Sequence, residues 1–242
     1  LKICMVEFKG TALKYLNNNP LLHACMIDSI KRGASHVLYA AEDGALAYDA
    51  AAQTHMLSAA CEESAGRMIG MLDSSVVMLV LYQPRYSARA RAVLGLKGDE
   101  MLCVNAVYTR DTPVRAPHPG IDIVRLAPED ADFVAGHYSQ IDDVGHIRER
   151  IEAGMFGAIV DGAMAGFIGT HTEGSMGMLE ILPQFRRRGI AYALEAHMID
   201  HLLAQGRTPY GQIVVGNEAS LGLQRRLHMD ISKDGLVWLF RD

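Results

Sequence analysis

The chain has 242 residues, half of them hydrophobic and 21% charged, with a formal net charge of −5. That length supports one large core or two modest ones. No apolar run approaches a membrane span, the longest clear one being Val76 to Tyr82, and the start lacks a signal-peptide layout, so a soluble cytoplasmic protein with no membrane partner is expected. The four cysteines, at 4, 25, 61 and 103, contain no CxxC pair and read as reduced packing residues.

In chain order, the first half alternates helical stretches, Leu13–Lys31 and Cys61–Met68, with strand candidates at Val37–Ala41, Ala45–Ala50, Val76–Tyr82 and Met101–Tyr108. After Val76–Tyr82 come Pro84-Arg-Tyr and a helical Ala88–Leu94, a local pattern echoed later in the chain. A turn-rich stretch, Thr109–Gly120, reads as a linker and divides the chain into domains 1–116 and 117–242. The first carries 12 Lys/Arg and 11 Asp/Glu, the second 11 and 17. An acidic second half argues against a nucleic-acid partner and is either a solubilising surface or an attraction for a cationic amine.

Beyond the linker, Ile121–Leu126 alternates like a strand and Ala127-Pro-Glu-Asp opens a helix with acids in its first turn. A second helix covers Asp142–Ala153. Strands Met155–Val160 and Ala163–His171 flank an Asp161-Gly162 turn signal. The strand Met176–Leu182, a long helix from Ile190, the strand Gln212–Asn217, a short helix from Ala219 and a strand near Leu236–Phe240 complete the chain.

The most informative segment is Pro183-Gln-Phe-Arg-Arg-Arg-Gly-Ile-Ala191, which joins an apolar strand to a helix. The first N–H groups of a helix lack intrahelical partners, and with the positive end of the helix dipole they form an anion site. Arg186, Arg187 and Arg188 add positive charge, and Gly189 allows the backbone to approach a ligand. The other reading is a solvated basic turn.

Arg186-x-x-Gly189-x-Ala191 resembles the Arg/Gln-x-x-Gly-x-Gly/Ala signature of the GNAT N-acetyltransferases. About thirty residues later, Asn217, Ser220, Leu221, Leu223 and Arg226 resemble the family's second pattern, which follows a strand. The order β-α-α-β-β-β-α-β-α-β over residues 121–242 is that of the GNAT fold. The resemblance implies an α/β (α+β) architecture with a mixed central sheet flanked by helices. The N-terminal α/β domain is either a degenerate GNAT-like half, as in a branch resembling the glycine N-acyltransferase-like proteins, or an unrelated companion.

The resemblance implies acetyl-CoA or a longer acyl-CoA as co-substrate, with no metal. Its pyrophosphate would sit on the N–H groups around Arg187, Arg188, Gly189, Ile190 and Ala191, with Arg186 close by. Its pantetheine arm would lie along the backbone of Ile181 and Leu182, near Asn217, Ser220 and Gln224. Asn217 reads equally as a helix cap. Where many family members carry a tyrosine as general acid, this chain has Gln224, which has no titrating proton.

Direct transfer to an amine requires a base for the ammonium. Glu180 is the first candidate because it interrupts an apolar strand; its alternative is an outward-facing residue or an ion pair with an arginine. Glu173, in the preceding hairpin with His171, is the second. His197 and His201 share a helix face, but no third ligand accompanies them, so no metal is expected. The expected activity is acyl transfer from CoA to a primary amine of a small molecule or amino acid. A non-catalytic acyl-CoA-binding module is the alternative, and a homodimer is compatible with either.

Overall fold

The computed structural model describes residues 2–114 and 118–242, with side chains from residue 8 onward. The middle of the expected linker, including the 116/117 boundary, lies outside the described residues, as does the Cys4 side chain. The chain forms two compact units: Leu1–Val107 with Gln212–Asn217 and Ile231–Asp242, and Tyr108–Gly211 with Glu218–Asp230. Both are mixed α/β units, each with strands flanked by helices. Among the described residues, no helix is long and apolar enough to cross a membrane.

The first unit begins with α1 (Lys2–Leu16) and α2 (Ala24–Arg32). A single helical stretch over Leu13–Lys31 is therefore corrected to two helices. Asn17-Asn-Asn-Pro20 breaks the run: asparagine side chains compete for backbone groups, and proline lacks the N–H. Asn18 and Asn19 instead donate backwards to the Tyr15 and Leu16 carbonyls. α2 stops at Gly33, whose φ of 76° permits the left-handed cap.

The strands β1 (Ser35–Ala41), β2 (Gly44–Asp49) and β3 (Thr54–Ala59) follow, each antiparallel to the one before. β3 has no counterpart in the sequence reading. It is central, paired on both edges and buried at five of six positions, so it lacks the period-2 alternation of a half-exposed strand. α3 (Glu62–Ile69) crosses over to β4 (Met78–Leu81), which runs parallel to β3 over four registered pairs. A 3₁₀ turn, Pro84–Tyr86, leads into α4 (Ser87–Leu94), then β5 (Glu100–Val107). Leu46, Leu57, Leu79, Leu81 and Leu239 are fully buried beneath α3 and α4, packed with Met68 of α3.

In the second unit, β6 (Asp122–Arg125) is followed by α5 (Ala131–His137) and α6 (Val144–Gly154). Then come β7 (Phe156–Val160), β8 (Ala163–Thr170) and β9 (Met176–Ile181), again an antiparallel series. The Asp161-Gly162 turn has φ of 52° and 78°, the double left-handed geometry that suits a two-residue hairpin. α7 (Ile190–Ala204) crosses over to β10 (Tyr210–Val214), whose first two residues belong to this unit. α8 (Glu218–Arg226) follows β10, and β11 (Asp230–Ile231) precedes β12 (Leu236–Phe240). β12 lies in the first unit, antiparallel to both β4 and β5. Phe167 and Met178 join the apolar cluster beneath α5 and α6, while α7 packs against β7, β8 and β9.

The local echo between Pro84-Arg-Tyr and Pro183-Gln-Phe is real, since each makes a 3₁₀ turn after a strand. Strand pairing gives a different correspondence. β3–α3–β4 is the parallel crossover that matches β9–α7–β10.

Candidate active site

β9 leaves the sheet at Leu182 and passes through the 3₁₀ turn Pro183–Phe185 into the arginine loop. Arg187 has φ of 63° and Gly189 φ of 81°, so the chain turns twice through left-handed geometry before α7 begins. The first helical bond is Ala193 N–H to Gly189 O, at 3.1 Å. The amides from Arg187 to Tyr192 find no acceptor among the described residues. Those from Gly189 to Tyr192 are the orphan donors at the start of a 15-residue helix whose dipole adds positive potential there, and those of Arg187 and Arg188 extend the row into the loop. A Cβ built on Gly189 would meet no protein atom within 4 Å, so the space beside it is free for a ligand.

The loop borders a cavity of about 340 Å³. Six predicted residues line it: Ile181, Arg186, Arg187, Gly189, Ile190 and Ala191. Leu179, Phe185, Tyr192, Leu223 and Arg226 complete the lining. Leu179 and Phe185 were hidden among ordinary apolar positions, whereas Leu223 and Arg226 lie on the second motif.

The four arginines have distinct roles. Arg186 Nη2 bonds Glu180 Oε1 at 3.1 Å, and its Nε donates to Ile181 O at 3.0 Å. Arg188 pairs with Asp161 at 3.3 Å, faces Phe185 and stays outside the cavity lining. Arg187 and Arg226 have no carboxylate partner within 4 Å among the described residues; Arg226 lies 5.4 Å over the Tyr192 ring. The cavity therefore combines free amide donors with two uncompensated guanidinium groups, a chemistry suited to phosphate.

β9 also has an open edge. Its ladder to β10 comprises one pair, Gly211↔Met176, so the second unit supplies no strand alongside residues 177–181 there. A bulge at Met178, φ 48°, places two residues opposite Ile168 and resets the pleat. Leu179 and Ile181 consequently face the cavity. Leu182 N–H donates to Ala165 O at 2.9 Å, which leaves it no amide for a ligand. By the alternation of an antiparallel ladder, Ile181 directs its backbone groups away from β8.

Glu180 faces the other side of the strand. Its charge lies near Tyr138, whose phenol is pushed up first by burial and then by Glu180. Its salt bridge to Arg186 realises the structural alternative for this residue. Glu173 is buried in the hairpin turn, where it accepts a short hydrogen bond from Ser175 Oγ.

Gln224 is buried and outside the cavity lining; its Nε2 lies 2.8 Å from each carboxylate oxygen of Glu195. Glu195 is absent from the sequence-derived candidates, although a carboxylate amid Ile190-Ala-Tyr-Ala-Leu-Glu-Ala was a visible signal. Burial raises its pKa to about 7, with the Gln224 bond acting against the shift. Ser220 shares α8 with Leu223 and Arg226 but does not line the cavity. Asn217 belongs to the first unit and closes the turn before α8, donating its N–H to Val214 O at 3.0 Å.

His197 and His201 meet the Phe156 ring in T-shaped contacts, with ring centroids 4.5 and 4.9 Å away. Burial lowers both pKa values. Among the described residues, no group of three His, Cys, Asp or Glu could hold a metal ion.

The FR47-like protein family model matches residues 153–234, the stretch from the end of α6 to the loop before β12. Three solved structures share the fold across nearly the whole chain. A Drosophila protein matches with a TM-score of 0.75 at 15% identity, covering 100% of this chain and 97% of its own. A GCN5-related N-acetyltransferase-like protein from Streptococcus suis matches with a TM-score of 0.55 at 14% identity, covering 98% and 100%. An acetyltransferase of the GNAT family from Colwellia psychrerythraea matches with a TM-score of 0.55 at 14% identity, covering 98% and 97%. No curated protein sequence matches the chain. The fold is that of the GNAT acetyltransferases.

Proposed function

We propose that the protein is an acyl-CoA-dependent N-acyltransferase that moves an acyl group, acetyl in the simplest case, from CoA to a primary amine of a small molecule or amino acid. The observation that carries this reading is the run of unpartnered amides from Arg187 to Tyr192 beside the open edge of β9. The amides, with Arg187 and Arg226, suit a pyrophosphate. The free edge, bordered by Leu179, Ile181 and Leu223, suits an amide-bearing, otherwise apolar pantetheine arm.

In this reading the acceptor amine attacks the thioester carbonyl, the C–N bond forms, and the C–S bond breaks to release CoA thiolate. The protein's contribution is positioning and hydrogen bonding to the developing oxyanion. The ammonium proton goes to Glu180, after its carboxylate releases Arg186, or to Glu173 as the second candidate. A thiol with a pKa of about 8.5 leaves readily as thiolate, so the reaction does not require a tyrosine acid. Gln224 then serves α7–α8 packing through Glu195.

That same commitment of Gln224 to Glu195 favours the second reading, a non-catalytic acyl-CoA-binding module. Thiol release from acetyl-CoA across a panel of amines and amino acids, with calorimetry of CoA binding, tests both. Amine-dependent thiol release establishes the transferase. CoA binding without thiol release from any acceptor favours the module, and absence of CoA binding removes both.

A further inference from the structure

The first unit contains a larger cavity, about 430 Å³, that the proposed transfer does not use. It lies at the carboxyl ends of the parallel strands β3 and β4, the place where α/β sheets commonly bind ligands. Its wall includes Tyr15, His23, Tyr82 and Gln83, with Arg85 and Asp234 at the rim.

The polar wall is held in one arrangement by Ser58, which is fully buried behind it. His23 Nδ1 lies 2.9 Å from Leu16 O, an atom that can only accept, so Nδ1 carries the proton. Nε2 is therefore the acceptor for the Ser58 hydroxyl at 2.8 Å. With its one proton committed, Ser58 Oγ accepts from Tyr15 Oη and Gln83 Nε2, both at 3.1 Å. Gln83 Oε1 accepts from Ala59 N–H at 2.8 Å. Burial lowers the His23 pKa, consistent with this neutral tautomer.

A buried polar network of this kind costs desolvation that an apolar cluster would avoid. Here it orients donors and acceptors along a cavity wall. Ser58 does not line the cavity, so the Ser58–His23 pair is not a nucleophile facing a substrate. It leaves a lone pair on Tyr15 Oη and one N–H on Gln83 for a ligand.

The rim supplies one charge of each sign, and neither is ion-paired among the described residues. Arg85 lies over the Tyr86 ring, 4.8 Å from its centroid, and bonds the Tyr86 hydroxyl at 2.9 Å. Among the described residues it has no carboxylate within 4 Å. Asp234 meets the Asn19 amide at 3.4 Å and, among the described residues, no cation. Leu22, Pro84 and the Tyr82 ring add apolar surface.

We infer that this cavity binds a small zwitterion, its carboxylate at Arg85 and Gln83 and its ammonium at Asp234 and Tyr15. Free α-amino acids are the simplest members of that class. The inference does not depend on acyl transfer, because none of its residues belongs to the arginine-loop cavity.

The test is calorimetry on the full chain, titrating free α-amino acids singly, with acetate and methylamine as one-charge controls. Saturable binding is expected for at least one amino acid and for neither control. Arg85→Ala and Asp234→Ala, both at exposed positions, should each weaken it by at least ~10-fold. Gly189→Val should leave it unchanged while removing CoA binding, which separates this site from the proposed transferase. No saturable binding, equal binding of a control, or full affinity in both rim variants would overturn the inference.

Discussion

The two parallel crossovers use the same topology for different ends. β3 and β4 stay paired from Thr54↔Met78 to Leu57↔Leu81, and Tyr82 N–H extends the ladder to Leu57 O at 3.0 Å. β9 retains a single registered pair with β10, Gly211↔Met176. At the following turn, α3 begins at the Cys61 cap with Glu62 and Glu63 in its first turn, an anionic start. α7 begins at Gly189 after three arginines and has no acid in its first turn. One crossover is closed by strand pairing, and the acids at its helix start are held by Arg89 and Arg67; the other leaves a strand edge and a set of helix amides available. A shared strand–helix–strand order therefore does not by itself leave a strand edge and a helix start open.

The largest expected effect separates the penultimate residues of the two strands, Glu180 in β9 and Ser58 in β3. Glu180→Gln should lower turnover ~10²- to 10⁴-fold while leaving CoA affinity within a few-fold. Steady-state kinetics with calorimetry checks it, and undiminished turnover would reject the base assignment. Next is the turn. Gly189→Val forces a β-branched residue into φ of 81° and places its side chain before the free amides, so CoA affinity should fall ~100-fold or more. Cys61→Ala, at the corresponding turn of the first unit, should leave CoA affinity unchanged; an equal loss would erase the contrast.

A smaller effect concerns stability. The neutral form of Glu195 is favoured in the folded state, so its contribution is fully present below the usual carboxyl value of 4.5 and is lost as pH rises through about 7. Relative to wild type, Glu195→Gln should flatten denaturation stability across that window, by up to roughly 3 kcal/mol. An unchanged pH profile would show that Gln224 compensates the charge. The smallest effects belong to Arg187→Ala and Arg226→Ala, each expected to weaken CoA ~3- to 10-fold and to reduce the salt dependence of binding. Neither change is expected at Arg188, which already pairs with Asp161.

The second unit was far more legible than the first. Its hairpin signal Asp161-Gly162, helix starts and apolar strands are local features, and their boundaries agree within a few residues. β10 shows the limit. Its expected span began at Gln212, but the strand starts at Tyr210 and ends at Val214, because Gly216, with φ of 95°, turns the chain before Asn217. In the first unit β3 escaped notice, since burial on both faces erases the pattern by which a strand is recognised. The Val76–Tyr82 candidate shortened to Met78–Leu81 for a related reason: an apolar run does not mark where pairing stops.

What the sequence determined by itself is the arginine loop: a strand, three arginines, a glycine and a helix prescribe a helix start with unpartnered amides through local backbone geometry. It also determined the order of elements in the second unit, since periodicity and turn chemistry act over a few residues. Tertiary structure alone decided how side chains were allotted. It tied Arg186 to Glu180, Arg188 to Asp161 and Gln224 to Glu195, and engaged the Leu182 amide with Ala165. It also returned β12 to lie between β4 and β5. Those outcomes depend on contacts between residues distant in the chain, where burial and pairing, rather than local propensity, set the free energy.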